Sequence, residues 1–309
     1  MSKTAADAAI HKSQSHPTWL TWNRRRVLVA YLFQAPAMVL LTIFLLLPLI
    51  SVIFLSFTSY DLSTMRWVGL ANYVHALHDE QFLKSIHNTA YYALTNIPGQ
   101  VLLGLGLALI LNERLKARGF FRMMYYFPVV TSMVVVAMVW LWIYEPGWGL
   151  LNVLLKALHL GRQNWLADPK MAMPAVVIMS VWKGLGNAMI LFLAGLQGIP
   201  EEVYEAAKMD GANRWHRFTD ITLPLLRPTT LFIFAMYCIW AFQVFDQVYI
   251  MTKGGPVWST TTMVHQMYRA AFLYVDMGYA ATFATILFIL VLVITLLNLM
   301  VFRGEVEYS

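Results

Sequence analysis

Nearly charge-free runs alternate along this chain with shorter polar segments, and six of the runs are long. Val27 to Tyr60 carries no charged residue, and Ser85 to Asn112 and Met123 to Tyr144 carry none either. Met171 to Pro200 is interrupted only by Lys183, and Pro228 to Phe245 and Met277 to Phe302 complete the set. A hydrocarbon core of about 30 Å takes roughly 20 helical residues to cross. The pattern therefore predicts an all-α, polytopic membrane protein with six transmembrane helices. Pro36, Pro48 and Pro98 fall inside spans, where neighbouring helices can satisfy the freed backbone groups. The first run follows Arg24-Arg25-Arg26, but its apolar stretch is more than twice the roughly 7–15 residues of a signal-peptide core and no small-residue cleavage site closes it. It is expected to be a retained helix.

Composition agrees: 59% of the 309 residues are hydrophobic and only 12% are charged, about half the usual globular share. The net charge of +6 does not indicate nucleic acid, because the basic residues sit between apolar runs rather than along one polar face. Their distribution sets an orientation instead. Lys3, Lys12, Arg24, Arg25, Arg26, Arg114, Lys116, Arg118, Arg122, Lys208, Arg214, Arg217, Arg227 and Arg303 fall on one side of the six-span layout. Arg66, Lys84, Lys156, Arg162, Lys170, Lys253 and Arg269 fall on the other. The positive-inside rule places the first, larger group in the cytoplasm, with both termini. Three regions follow: a flexible cytoplasmic tail over 1–26, a six-span domain over 27–303, and a short cytoplasmic tail over 304–309. The remaining segments carry aromatic residues, and Tyr60, Trp67, Trp148 and Trp165 are read as interfacial anchors.

Between the fourth and fifth runs lies a polar segment with internal signals for two helices. Pro200-Glu201-Glu202 is a helix start, since proline is tolerated there and acidic groups complement the positive end of the helix dipole. Ala206 and Ala207 present almost no side chain. Gly211 after Asp210 supplies a left-handed stop, and Asn213 can cap a second helix. Trp215, Phe218 and Ile221 recur at three-residue spacing and give that helix one apolar face. Pro224 and Pro228 mark the turn into the next span. The expectation is a helix-turn-helix knob on the cytoplasmic side, over residues 200–224.

Glu205-Ala206-Ala207, three residues, Gly211, nine residues, then Ile221-Thr222-Leu223-Pro224 resembles the coupling loop of binding-protein-dependent ABC importer permeases, with every fixed position of the pattern matched. The resemblance extends over most of residues 25–303. Ala194 to Pro200, Asp210-Gly211-Ala212 with Phe218, Phe245 to Pro256 with Ser259-Thr260, and Met277 to Ala281 point to the carbohydrate branch, and to the first membrane subunit of maltose-type and glycerol-phosphate-type systems. It implies a half-transporter in the bacterial inner membrane. The implied partners are a second, different permease, two copies of an ABC ATPase, and an extracytoplasmic solute-binding protein, all around a lipid-embedded core. The large external domain of some maltose permeases is missing here. Glu205, Ala206, Ala207, Asp210, Gly211, Ala212, Ile221, Leu223 and Pro224 are the implied ATPase-coupling positions. ATP and magnesium would be held by the partner ATPase. This chain contains no GxxxxGK[ST] loop, and it is not read as an enzyme.

Polar residues inside spans are costly and usually face a partner helix or an aqueous path. Trp182, Lys183 and Asn187 in the fourth run, and Trp240, Gln243, Asp246 and Gln247 in the fifth, are the candidate sugar contacts, with Trp182 or Trp240 stacking on a ring. Lys183 suits a hydroxyl or an anionic group, or else pairs with Asp246 or a backbone carbonyl. Gln243 and Gln247 are expected on one helical face. Asn96 and Gln100 share that spacing and are expected to bond between helices. Gly184 and Gly186 loosen the helix or permit close packing. The eight histidines show no metal-ligand spacing, and Cys238, the only cysteine, is read as a core residue. An importer of a di- or oligosaccharide is the reading this supports. Glycerol phosphate or a polar osmolyte is the alternative solute. An ion-driven secondary transporter would need paired in-membrane acids or two similar halves, and a membrane enzyme would need a clustered nucleophile and base.

Overall fold

The architecture follows from where proline, glycine and small hydroxyl residues interrupt the apolar runs. The computed structural model describes residues 19–113 and 116–302. The first eighteen residues of the expected N-terminal tail and all of 304–309 lie outside the described residues. Two compact units are distinguished, Met1–Phe54 and Leu55–Ser309.

The described part of the first unit is one helical run, α1 (Trp19–Leu41), a π-helical turn over Thr42–Leu46, and the start of α2 (Leu47–Leu55). Pro48 has no N–H to donate and its ring presses on the carbonyl four residues back. The chain accommodates it in the π turn, where the Leu47 N–H reaches back to the Thr42 carbonyl.

In the second unit the helix ends at Leu55, and a short antiparallel hairpin begins three residues later, β1 (Thr58–Tyr60) and β2 (Met65–Trp67), with Thr58 opposite Trp67. This pair is a small β element in an otherwise helical chain, and the helix of the first run ends at Leu55 while its apolar stretch continues to Tyr60. The hairpin is tied by Asp61, whose carboxylate accepts from the Ser63 and Thr64 N–H groups at 3.0 and 2.6 Å, an arrangement that Asp favours in turns. Trp67 stacks on Phe57 with 5.7 Å between ring centroids. α3 (Ala71–His78) leads into α4 (Glu80–Asn112), whose first turn is capped by Asp79 through the Gln81 N–H.

The third apolar run is two helices rather than one. α5 (Arg118–Val130) and α6 (Met133–Ile143) meet at Thr131–Ser132 with a bend of 100°. Thr131 and Ser132 have extended ψ values of 142° and 138°, and the Thr131 hydroxyl caps the Phe127 carbonyl at 3.1 Å. α7 (Leu150–Ala157) follows. Buried Asn152 bonds there to the Pro146 and Gln163 carbonyls and accepts from Trp165 Nε1. Trp165 is thus half-buried, with its ring nitrogen tied to α7.

α8 (Ala172–Gln197) is the central helix, and its interface with α4 is the most extensive among the described residues. Ala172, Ala175, Val176, Met179, Ala188, Met189 and Phe192 are fully buried along it. Small residues make the approach possible. A Cβ on Gly104 would lie 2.5 Å from that of Ala188, and one on Gly186 would run into the Tyr125 carbonyl. α9 (Glu201–Met209), α10 (Arg214–His216), a π turn over Arg217–Thr222 and α11 (Leu223–Leu225) form the polar loop, and α12 (Arg227–Phe242) follows at 61°. α12 stops at Phe242, and α13 (Asp246–Met251) begins only after a break, so Gln243 and Gln247 do not share a regular helical face. α14 (Met263–Tyr268) and a last π turn, Arg269–Leu273, precede α15 (Met277–Phe302). Among the described residues four helical runs are long and apolar enough to cross a bilayer, Arg26–Leu55, α4, α8 and Met277–Asn298, and the two bent pairs raise the number to as many as six if each counts as one.

Candidate functional site

The bend between α5 and α6, the break after α12 and the glycines of α8 leave a cavity of about 380 Å³ in the second unit, within the range of small-molecule sites. α4 contributes Tyr92, Asn96 and Gln100, α8 contributes Ser180, Lys183, Gly184 and Asn187, and α12, the following break and the start of α13 contribute Tyr237, Trp240 and Gln243 to Gln247. Val129 and Met133, on either side of the 100° bend, close another wall.

Six of the seven candidate contacts read from the sequence line this one space: Lys183, Asn187, Trp240, Gln243, Asp246 and Gln247. Trp182 lies apart from it, its ring 5.6 Å from Trp140, because residues adjacent along a helix point about 100° apart. Lys183 Nζ donates to the Val129 carbonyl at 3.2 Å. That carbonyl lies at the C-terminal end of α5, where the bend removes its helical partner and a cation is favourable. Of the partners left open by the sequence, the structure shows the carbonyl and not Asp246. Gln243 and Asp246 are exposed. Gln247 is buried and already engaged, its Nε2 donating to the Tyr92 hydroxyl at 2.9 Å and lying 3.5 Å from Ser180 Oγ. Asn96 and Gln100 bond to one another at 2.8 Å, and Gln100 reaches the Ser180 carbonyl on α8 at 3.3 Å, an interhelical bond of the kind expected.

Tyr237 was legible but missed. Its hydroxyl donates to the Gly184 carbonyl at 2.9 Å and its ring meets Trp240 edge-on at 5.3 Å. A tyrosine one turn before Trp240 in an apolar run was the available signal. Together Tyr237, Trp240, Asn187 and Gln243 offer aromatic faces beside hydrogen-bonding groups, a combination suited to a polar ring with apolar faces. Among the described residues no group of three His, Cys, Asp or Glu side chains could hold a metal ion.

The second feature is the loop that joins α8 to α12. Gly211 has φ +80°, and the α9 C-terminus closes with the Ala212 N–H on the Ala207 carbonyl (2.9 Å) and the Gly211 N–H on the Lys208 carbonyl (3.1 Å). These are the two bonds of a Schellman stop. Asn213 Oδ1 accepts from the His216 N–H at 2.9 Å, the cap expected of it. Beyond the cap the structure departs from the expectation. Residues 217–222 are π-helical, with the Leu223 N–H on the Phe218 carbonyl, one residue before Pro224, as at Pro48. The Trp215 and Phe218 rings still lie 5.9 Å apart, but the π turn breaks the regular spacing toward Ile221, and Trp215 is 68% exposed. Tyr204 and Thr222 join the two halves through their hydroxyls at 3.0 Å. Glu205, Ala206, Asp210, Gly211, Leu223 and Pro224 are exposed, and Ala207, Ala212 and Ile221 half-buried.

Residues 100–303 match the family model described as "Binding-protein-dependent transport system inner membrane component". The chain belongs to this family. The trehalose/maltose transport system permease protein MalF of Thermococcus litoralis is 36% identical over 285 residues, covering 90% of this chain and 95% of that one. The probable ABC transporter permease protein PH1215 of Pyrococcus horikoshii is 37% identical over 269 residues, 86% of this chain and 92% of its own length. A chain in the crystal structure of a bacterial ABC transporter involved in the import of the acidic polysaccharide alginate superposes with a TM-score of 0.82 at 25% identity, covering 93% of this chain and 99% of that one. Another structure of the alginate transporter includes a pentasaccharide-bound periplasmic protein. The protein is thus an inner-membrane permease subunit of an ABC transporter, and its relatives are permeases rather than enzymes.

Proposed function

We propose that this chain forms half of the translocation path of an ATP-driven importer for a di- or oligosaccharide, and that the path runs through the cavity between α4, α8 and α12. One observation carries the reading: side chains fit for a sugar converge on a cavity walled by α8 and α12, the two helices joined by the exposed loop. A rigid-body movement of that loop would act directly on the ends of both. Glu205, Ala206, Ala207, Asp210, Gly211, Ala212, Ile221, Leu223 and Pro224 are the positions at which a cytoplasmic ATPase would engage. In this reading α5 and α6 together make one crossing and α12 makes another, so that six spans result, with the loop and both termini in the cytoplasm and the β hairpin outside. A second permease completes the path, two ATPase copies bind ATP and magnesium beneath it, and a solute-binding protein delivers sugar from outside.

The test is uptake by the assembled transporter across a substrate titration. Alanine at Trp240, Gln243 or Asn187 should raise KM for sugar, about 5–150-fold where one buried hydrogen bond is lost, while the subunits still co-purify. Unaltered KM in all three would place the path elsewhere. A second reading, an anionic solute such as glycerol phosphate, is favoured by Lys183, which lines the cavity with a carbonyl as its bonded partner. A large loss of uptake in Lys183→Met favours it, and a small one favours a neutral sugar.

A further inference from the structure

Helix α4 brings an amide pair to the cavity that the helix-to-helix bonds do not use up. Asn96 and Gln100 are 2% and 6% exposed, one turn apart, and both line the space. Gln100 Nε2 spends its hydrogens on Asn96 Oδ1 and the Ser180 carbonyl. That leaves Asn96 Nδ2 and Gln100 Oε1, and both are buried with no hydrogen-bond partner. Buried amide atoms are almost always paired, because a dry unpaired one forfeits its bonds to water. Both residues border the cavity, and the two atoms are themselves closed off from it, so a partner that enters the space can pair with them once the side chains turn toward it.

The chemistry of the pair restricts that partner. One free group only donates and the other only accepts. A carboxylate or phosphate would meet Gln100 Oε1 with like polarity, and an ammonium would meet Asn96 Nδ2 the same way. A hydroxyl both donates and accepts, so it satisfies either atom. Gly184 on α8 leaves room for the acceptor: a Cβ there would collide with Gln100 Oε1.

We propose that Asn96 and Gln100 are a solute-binding subsite on α4, with Asn96 Nδ2 donating to, and Gln100 Oε1 accepting from, hydroxyl groups of the transported sugar. This rests on the sugar reading of the cavity and adds solute contacts from α4 to those of α8 and α12.

The experiment uses the full transporter in proteoliposomes, with maltose, trehalose, lactose and their monodeoxy derivatives as probes. In the wild type, one deoxy position should cost about tenfold in KM. In Asn96→Leu, KM for the parent sugar should rise by about that factor, and the same deoxy position should then cost nothing more. Should Asn96→Leu not assemble, Gln100→Met reads the hydroxyl from the acceptor side. Full discrimination retained in the variants overturns the subsite, as does a loss of thermal stability with no change in discrimination, which would mean that the pair holds a structural water. Failure of both variants to assemble would assign the pair to helix packing and also overturn it. Trp240→Ala separates the two levels. If it raises KM while the amide variants do not, the cavity stands and the subsite falls. If the wild type imports none of the sugars, the sugar reading fails and the subsite fails with it.

Discussion

Substitution at Gly211 isolates a backbone effect, because nothing lies within 4 Å of the Cβ that would be added there. Steric contact with the rest of the chain therefore contributes nothing, and the whole cost comes from φ +80°. A left-handed conformation costs an L residue about 1–2 kcal/mol, less for Asn and more for a β-branched side chain. At 25 °C, 1–2 kcal/mol is a factor of roughly 5–30 in the population of the Schellman stop. The two hydrogen bonds closing α9 depend on that population, and with them the placement of Glu205 relative to Leu223 and Pro224. The expected order of ATP-dependent uptake is therefore Gly211, then Gly211→Asn, Gly211→Ala and Gly211→Val, with the last reduced at least fivefold. Sugar KM should stay within about twofold, since the cavity is untouched. Uptake and ATPase activity would be measured side by side in proteoliposomes. A contact role for residue 211 predicts a different order, with Ala harmed least because it is smallest. Wild-type transport in Gly211→Val, or Asn falling below Ala, would refute the backbone argument.

Gly186→Ala drives a methyl into the Tyr125 carbonyl and should cost about 1–3 kcal/mol, seen as a lower melting temperature of the detergent-solubilised transporter; Gly106→Ala, with open space at its Cβ, is the control and should be near neutral. Thr222→Val removes the Tyr204 bond and leaves a polar group to be resolvated, so limited proteolysis within 201–226 should accelerate by a factor consistent with about 1 kcal/mol. Burial, and secondarily the charge of Arg269, lowers the pKa of His265 to about 4. A histidine with a lowered folded pKa contributes stability that is complete above its unfolded value near 6.5 and is lost as pH falls toward 4. Hydrogen exchange over 252–270 should therefore quicken across that window in the wild type and much less in His265→Asn; an identical acid response in both would contradict the assignment.

Long periodicities were the easiest part of this chain to read. α4, α8 and α15 were legible because apolar length alone decides them, and the cap at Asn213 and the turn at Gly211 because each residue type has a specific backbone use. The 100° bend was not read, although Pro128 and the Val129-Val130-Thr131-Ser132 string weaken the helix there. Apolar composition is indifferent to direction, so hydropathy runs straight through it. The same indifference hid the break after Phe242, where Gln243 and Gln247 reach one cavity by way of a turn instead of a shared helical face. The hairpin at 58–67 was masked by the apolar run it ends. The cavity-lining residues were legible because intramembrane polar groups are few, but Trp182 shows the limit: neighbours along a helix face different directions, and only tertiary packing shows that Trp240, and not Trp182, borders the cavity.

The most direct measurement is sugar accumulation in proteoliposomes carrying this chain, its partner permease, the ATPase and the binding protein, with and without ATP. The account predicts accumulation only with ATP and all four components present, and none from the chain alone. Uptake by the chain alone, or accumulation driven by an ion gradient without ATP, would contradict it.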